Sequence, residues 1–154
     1  MTDKKIYDTI IKKEPLTEGW SEDKKYCATT ADGTKYLLRI SPLTQYESKK
    51  ILFSMTEQIA ALNIPMCIPI EFGTCDEGVY CIQSWIDGED LKPILPTLSD
   101  TEQYALGIQA GKILRKIHSI PVPKTQELWS EKYNREINAK IIINLILIEM
   151  ERFI

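Results

Sequence analysis

The sequence has few of the residues from which protein metal sites are commonly built. His118 is the single histidine, and the four cysteines, Cys27, Cys67, Cys75 and Cys81, form no C-x-x-C pair. Structural zinc sites combine closely spaced cysteines and histidines, so this pattern predicts no zinc site. We expect the four cysteines to be free thiols in a reducing cytoplasm.

An excess of charge and a long apolar segment are lacking too. Lys and Arg total 19 against 22 Asp and Glu, which gives a formal net charge of −3. Proteins that bind nucleic acid usually carry a basic patch, so we expect no nucleic-acid partner. The longest apolar run, IIINLILI at 141–148, is shorter than the 18 or so residues of a membrane span, and the N-terminus has no apolar region typical of a signal peptide. The sequence therefore predicts a cytoplasmic protein without a membrane partner.

The first third of the chain shows strand and turn signals. A short helix is predicted at 4–11, followed by a short strand at 13–16. Residues 25–30 and 34–40 then form two strands around the turn at 31–33, whose Asp-Gly pair favours a tight hairpin turn.

The middle of the chain predicts one helix and a second pair of strands. The helix covers 46–62, and its apolar residues recur at helical spacing on one face: Ile51, Leu52, Met55, Ile59 and Leu62. Strands at 68–73 and 79–85 follow, separated by a turn at 76–78.

The clearest helix begins at Ser99. Ser99 and Glu102 form a capping box, in which each side chain satisfies a free backbone N–H of the first turn. The predicted buried stripe consists of Leu106, Ala110, Ile113, Leu114 and Ile117. His118 is expected to end this helix in a packing and C-cap role, and a last helix is predicted from about Leu128 to the C-terminus.

This order of elements predicts an α+β fold with a five-stranded antiparallel sheet and one helix inserted after the third strand. The predicted domains are a lobe at 1–86, a connector at 87–98 and the beginning of a helical lobe at 99–154.

Four motifs, in this order and spacing, carry a family resemblance: EGWSEDKKY, KYLLRIS, IQSWIDGEDL and LGIQAGKILRKIHSIPVP. Together they resemble the N-terminal half of the aminoglycoside phosphotransferase family, small-molecule kinases similar to choline kinases and, more distantly, to protein kinases. The resemblance covers roughly residues 5–140. It implies a protein-kinase-like nucleotide-binding lobe, a hinge and the first helices of a truncated helical lobe.

The resemblance also implies phosphate-binding residues. The loop at 18–23 would fold over the phosphates of ATP or GTP, with Gly19 giving flexibility and Ser21 a hydroxyl. By itself this segment also fits an ordinary hairpin loop, because a single glycine is a weak signal. Arg39 occupies the place of the kinase lysine that holds the α- and β-phosphates, and its planar fork suits phosphate oxygens.

An acid on the following helix would orient that cation, by analogy with the kinase lysine–glutamate pair. Glu47 is the first candidate and Glu57 the alternative. Glu47 also fits the simpler role of a first-turn acid favoured by the helix dipole.

The hinge is predicted at Gln83–Ile86, where the resemblance implies that adenine binds to backbone groups. Gln83, Ser84 and Ile86 are the candidate residues, with Ser84 and Ile86 supplying the backbone hydrogen bonds. Trp85 is expected to pack in the core, with packing at the hinge as the alternative.

The catalytic half that the family carries has no counterpart in the sequence. No aspartate follows Asp100 and no histidine follows His118, so neither a catalytic base nor magnesium ligands are predicted. We therefore expect a fragmentary kinase that is inactive alone; the full-length form would use magnesium and a nucleotide to phosphorylate a small-molecule hydroxyl, such as that of an aminoglycoside. The alternatives are a non-catalytic nucleotide-binding module and a module that self-associates through its apolar C-terminal helix.

Overall fold

The computed structural model describes residues 5–17, 21–121, 130–131, 133–135 and 137–138. The chain divides into two compact units, Met1–Ile120 and Pro121–Ile154. In the second unit the described residues from 130 to 138 are helical, as predicted, whereas the apolar run at 141–148 lies outside the described residues. The predicted boundaries at 86 and 98 stay a prediction.

A single antiparallel sheet of five strands dominates the first unit. The strands are β1 (Ile10–Leu16), β2 (Lys24–Thr30), β3 (Lys35–Ser41), β4 (Pro69–Cys75) and β5 (Gly78–Ser84). Their order across the sheet is β1-β2-β3-β5-β4. This confirms the predicted α+β fold and its five-stranded sheet.

The helices lie between and after these strands. Helix α1 (Tyr46–Ala60) separates β3 from β4, and α2 (Leu91–Ile94) and α3 (Asp100–Ile117) follow β5. Short 3-10 helices cover Tyr7–Thr9, Leu43–Gln45 and Leu95–Thr97. In the part of the chain that the structure describes, we find no helix with the length and apolar character that crossing a bilayer requires.

The predicted N-terminal helix at 4–11 is wrong in type. The segment forms only one 3-10 turn before β1 begins at Ile10, and β1 pairs with β2 along its whole length. Only Ile10 and Ile11 of β1 fall in the predicted helix, which rests on the helical spacing of Ile6, Ile10 and Ile11; the strand predicted at 13–16 is confirmed as part of β1. Pairing with a neighbouring strand overrides such a short local pattern.

The core lies on one face of the sheet. Five residues with at most 2% exposure form it, and the N-terminal segment packs against them through Ile6, Tyr7 and Ile10. The five are Ala28, Leu38, Ile40, Tyr80 and Ile82. Because side chains alternate along a strand, the residues between them on β2, β3 and β5 point to the opposite face.

Helix α1 covers part of that opposite face. Half-buried residues recur along α1 at spacings of three and four, at Tyr46, Lys49, Phe53, Thr56 and Ala60, and Met55 and Ile59 of the predicted stripe are half-buried beside them. Tyr46 and Phe53 both contact the ring of Phe72 on β4, at centroid distances of 5.5 Å. The predicted stripe was misplaced at its start, since Ile51 and Leu52 are 60% and 51% exposed.

Helix α3 begins as predicted and buries less than predicted. The capping box of Ser99 and Glu102 is present, and His118 is the C-cap residue. His118 is nevertheless exposed, so the packing part of its predicted role is not observed. Leu106, Ile113 and Ile117 are half-buried, whereas Ala110 and Leu114 of the predicted stripe are exposed.

Candidate functional site

Arg39 stands in the middle of the sheet, on the face that α1 covers. Its neighbours across the strands are Lys25 on β2 and Cys81 on β5, and Cys81 is opposite Phe72 on β4. Residues directly opposite each other share a face, so these four side chains form one row. Arg39 therefore lies inside a row of four side chains whose last member is the aromatic ring of Phe72.

Asp23 is the partner of Arg39. Its Oδ2 accepts hydrogen bonds from Nε and Nη2 of Arg39, at 3.1 and 2.7 Å. Its Oδ1 accepts from Nζ of Lys49 at 2.6 Å and from Oγ of Ser41 at 2.7 Å. The carboxylate is only 5% exposed, and four charge-assisted hydrogen bonds use both of its oxygens.

These contacts decide the protonation state of Asp23. Burial raises the pKa of a carboxyl group, but the hydrogen bonds from Lys49, Ser41 and Arg39 outweigh it and lower the pKa of Asp23 to about 2. Burial raises the pKa of the nearby Cys81 thiol to about 11, so the thiol is neutral at pH 7. Two cations and one anion leave the cluster with a net charge of +1.

A cavity of about 140 Å³ opens beside this cluster, between α1 and the sheet. Its lining includes Asp23, Arg39, Ser41, Lys49 and Gln83 together with apolar side chains of α1, β4 and β5. Pockets that enclose whole drug-sized ligands measure roughly 300–1,000 Å³. This cavity is large enough for an anionic group of a ligand rather than for a complete nucleotide.

The predicted acid partner of Arg39 is wrong. Glu47 and Glu57 are exposed residues of α1, and among the described residues the ion pair of Arg39 is with Asp23. Lys49 is the charged residue of α1 that lines the site. In contrast to the kinase pair, the helix supplies a second cation and the loop before β2 supplies the acid.

Two loop residues, Gly19 and Ser21, are predicted to cover the phosphates, and the structure describes one of them. Gly19 lies outside the described residues. Ser21 lies beside the cluster, and its Oγ accepts a hydrogen bond from Nη2 of Arg39 at 3.0 Å. The segment that carries Ser21 and Asp23 is thus attached to the strand that carries Arg39.

At the predicted hinge, Ser84 does not fit the role of a backbone donor to a nucleobase. Its N–H donates to the carbonyl of Ile68 at 2.8 Å, and its Oγ accepts from the Ile68 N–H. Ile86 follows β5 and is 53% exposed. Trp85 is half-buried, and its Nε1 donates to Asp87 at 3.1 Å.

Sequence reasoning missed Asp23 and Lys49. Asp23 looks like an ordinary polar loop residue, because its partners are 16 to 26 positions away in the chain. Lys49 carried a usable signal. It lies on the same helical stripe as Tyr46, Phe53 and Thr56, and a lysine on an inward stripe needs an anion to pair with.

The comparisons with known proteins identify the family of the chain. A family model described as a phosphotransferase enzyme family matches residues 13–142. The chain belongs to this phosphotransferase family. The match covers the end of β1, the other four strands, α1 and α3, and it confirms the resemblance to aminoglycoside phosphotransferases and the kinase-like character of the lobe. No curated protein gives a significant match.

Proposed function

We propose that this phosphotransferase chain binds a nucleoside triphosphate, ATP or GTP, at the sheet face that carries Arg39. The observation that supports it most strongly is the cationic cluster of Arg39 and Lys49 beside a cavity of about 140 Å³. A net positive charge next to a phosphate-sized space attracts an anionic group. The family membership makes a nucleotide the expected source of that anion.

The neighbouring row of the sheet suits a nucleobase. Cys27, Leu37 and Gln83 are opposite one another on β2, β3 and β5. Leu37 is two residues before Arg39, so both side chains lie on the same face of β3. A base resting on Leu37 would have Arg39 about two residues along the strand, near its phosphates.

Phosphoryl transfer would need groups that these residues do not supply. Transfer from a nucleotide uses a base that accepts the proton of the substrate hydroxyl, and carboxylates or amides that hold magnesium. We propose that the chain binds nucleotide but does not by itself phosphorylate a substrate. In a form that carries the family's catalytic loop, the substrate would be a small molecule with a hydroxyl group, of which an aminoglycoside is one class.

A thermal-shift titration of the purified chain with magnesium ATP, magnesium GTP and, as a negative probe, adenosine tests this proposal. A ligand that binds only the folded state stabilises it by about 2.7 kcal/mol at a hundredfold excess over Kd. We expect a saturable rise in Tm with at least one of the two triphosphates and a smaller rise with adenosine.

Arg39→Ala is the informative variant, and Arg115→Ala is its matched control. Arg115 is an exposed residue of the last turn of α3 and does not line the cavity. We expect Arg39→Ala to lose the shift, measured against its own Tm without ligand, and Arg115→Ala to retain it. No shift with either triphosphate up to millimolar concentration would refute the proposal.

A further inference from the structure

We propose that Lys49 is a second phosphate-binding residue, and that Lys49 and Arg39 together form a two-cation cradle for adjacent phosphate groups of one polyphosphate chain. This inference rests on the proposed nucleotide binding and adds a residue of α1 to it. Where an acid was expected on α1, the helix carries the base Lys49. This residue pairs with Asp23 and also lines the cavity.

The geometry of Asp23 holds the two cations side by side. Arg39 donates to Oδ2 and Lys49 to Oδ1 of the same carboxylate. The two charged groups are therefore held on one carboxyl group, each at a different oxygen. Neighbouring phosphates of a polyphosphate chain are joined through a single bridging oxygen, so one cation can face each phosphate.

Both cations keep hydrogen-bond donors for a ligand. A lysine ammonium has three N–H donors and a guanidinium has five. Within the part of the chain described, Lys49 donates one hydrogen bond, to Asp23, and Arg39 donates through Nε and Nη2, to Asp23 and Ser21. Among the described residues, no hydrogen bond uses the Nη1 group of Arg39 or the other two N–H groups of Lys49.

The exposure of the two side chains fits this use. Lys49 is 22% exposed and Arg39 32% exposed, whereas the carboxylate between them is 5% exposed. All three line the cavity. The anion is thus covered and the cations are reachable, which is the arrangement that a negatively charged ligand requires.

Inorganic tripolyphosphate is the direct probe, because it carries the phosphate chain without a nucleobase. Its affinity is measured by isothermal titration for the wild-type chain, Lys49→Gln and Lys49→Arg, with Lys50→Gln as the matched control. Lys50 is the next residue of α1 and is exposed, so its removal changes the net charge equally outside the cavity.

We expect Lys49→Gln to weaken tripolyphosphate binding about tenfold to a hundredfold, the loss typical of a hydrogen bond between charged groups. Lys49→Arg and Lys50→Gln should stay within about threefold of wild type, on the same scale. If Lys49→Gln does not fold, Lys49→Met is the second neutral variant, because its flexible apolar side chain can fill part of the cavity.

The outcomes separate this inference from the proposed function. Wild-type binding of tripolyphosphate that Lys49→Gln leaves unchanged overturns the role of Lys49, and nucleotide binding through Arg39 survives. If the chain binds magnesium ATP but not tripolyphosphate, the role of Lys49 is again overturned and nucleotide binding survives. Tripolyphosphate binding that depends on Lys49, without binding of either nucleotide, supports the cradle and overturns the proposed nucleotide function; absence of all binding overturns both.

Discussion

Tyr80 donates a hydrogen bond from its hydroxyl to Oε1 of Glu71, the carboxylate that also accepts the backbone N–H groups of Ile6 and Tyr7. The ring of Tyr80 stacks on that of Tyr7 at a centroid distance of 4.3 Å. One side chain of β4 therefore attaches the N-terminal segment to the core face of the sheet. This contact lies on the face opposite Arg39, so it can be tested separately from the candidate site.

Replacing Glu71 should destabilise the fold through this attachment. Glu71→Ala leaves the hydroxyl of Tyr80, a residue that is 1% exposed, without its acceptor. An unsatisfied buried polar group costs about 1–3 kcal/mol, and urea unfolding at pH 7 measures the loss. Glu47→Ala, an exposed substitution on α1, should change stability by less than about 0.5 kcal/mol. Equal losses in the two variants would contradict the structural role of Glu71.

The stability of the chain should depend on pH through Asp23. Its pKa is lowered in the folded state from 3.8 to about 2, so the unfolded chain binds the proton more readily. The ionised cluster therefore contributes its full stability above about pH 5, and the contribution falls as the pH drops towards 2. We expect a loss of roughly 2 kcal/mol over this range from Asp23.

Urea unfolding at pH 7 and pH 2.5 measures this loss, and Asp23→Asn is the reference because it cannot titrate. The difference in unfolding free energy between the two pH values should be smaller in Asp23→Asn than in the wild type by about 1–2 kcal/mol. An identical pH dependence in both proteins would show that Asp23 does not titrate as described.

Gly78 should tolerate no side chain. Its φ of +139° lies in a region that only glycine adopts easily, and a Cβ built on it overlaps the carbonyl oxygen of Ser41. Gly78→Ala should lower the free energy of unfolding by more than about 2 kcal/mol. Because Ser41 also donates to Asp23, the substitution should weaken binding of tripolyphosphate as well.

Gly88→Ala is the control for Gly78→Ala. A Cβ at Gly88 meets nothing within 4 Å, and its φ lies outside the left-handed region. The expected change in unfolding free energy is below about 0.5 kcal/mol. Thermal unfolding of the two variants side by side checks the prediction, and a stable Gly78→Ala protein would show that the turn can rearrange without cost.

The strands were predictable because their signals are local. The hairpin of β2 and β3 follows from its alternating residues and the Asp32–Gly33 turn, where Gly33 has a φ of +86°. The second strand pair is similarly placed by the turn before Gly78. The capping box at Ser99 needs only four residues of chain, Ser99 to Glu102. The strand predicted at 13–16 forms part of β1, whereas Ile10 and Ile11 were missed because their spacing with Ile6 also fits a helix.

The centre of the candidate site was predictable only in part. Arg39 could be found from its position on β3, since a cation on a half-buried strand requires an anionic partner or ligand. Its partner Asp23 could not be found, because the approach of Asp23 to Arg39 and Lys49 depends on how the loop, β3 and α1 pack. The helical stripe was displaced for a related reason: Ile51 and Leu52 have the stronger apolar character, but Lys49, Phe53 and Thr56 face the sheet.

The four hydrogen bonds of Asp23 have a consequence for motion. They join the segment at 21–23, the end of β3 and the first turns of α1 through one carboxylate. A displacement of α1 must either carry this segment with it or break a charge-assisted contact. An anion that draws Arg39 or Lys49 towards itself would pull on the same carboxylate, and through it on the segment before β2.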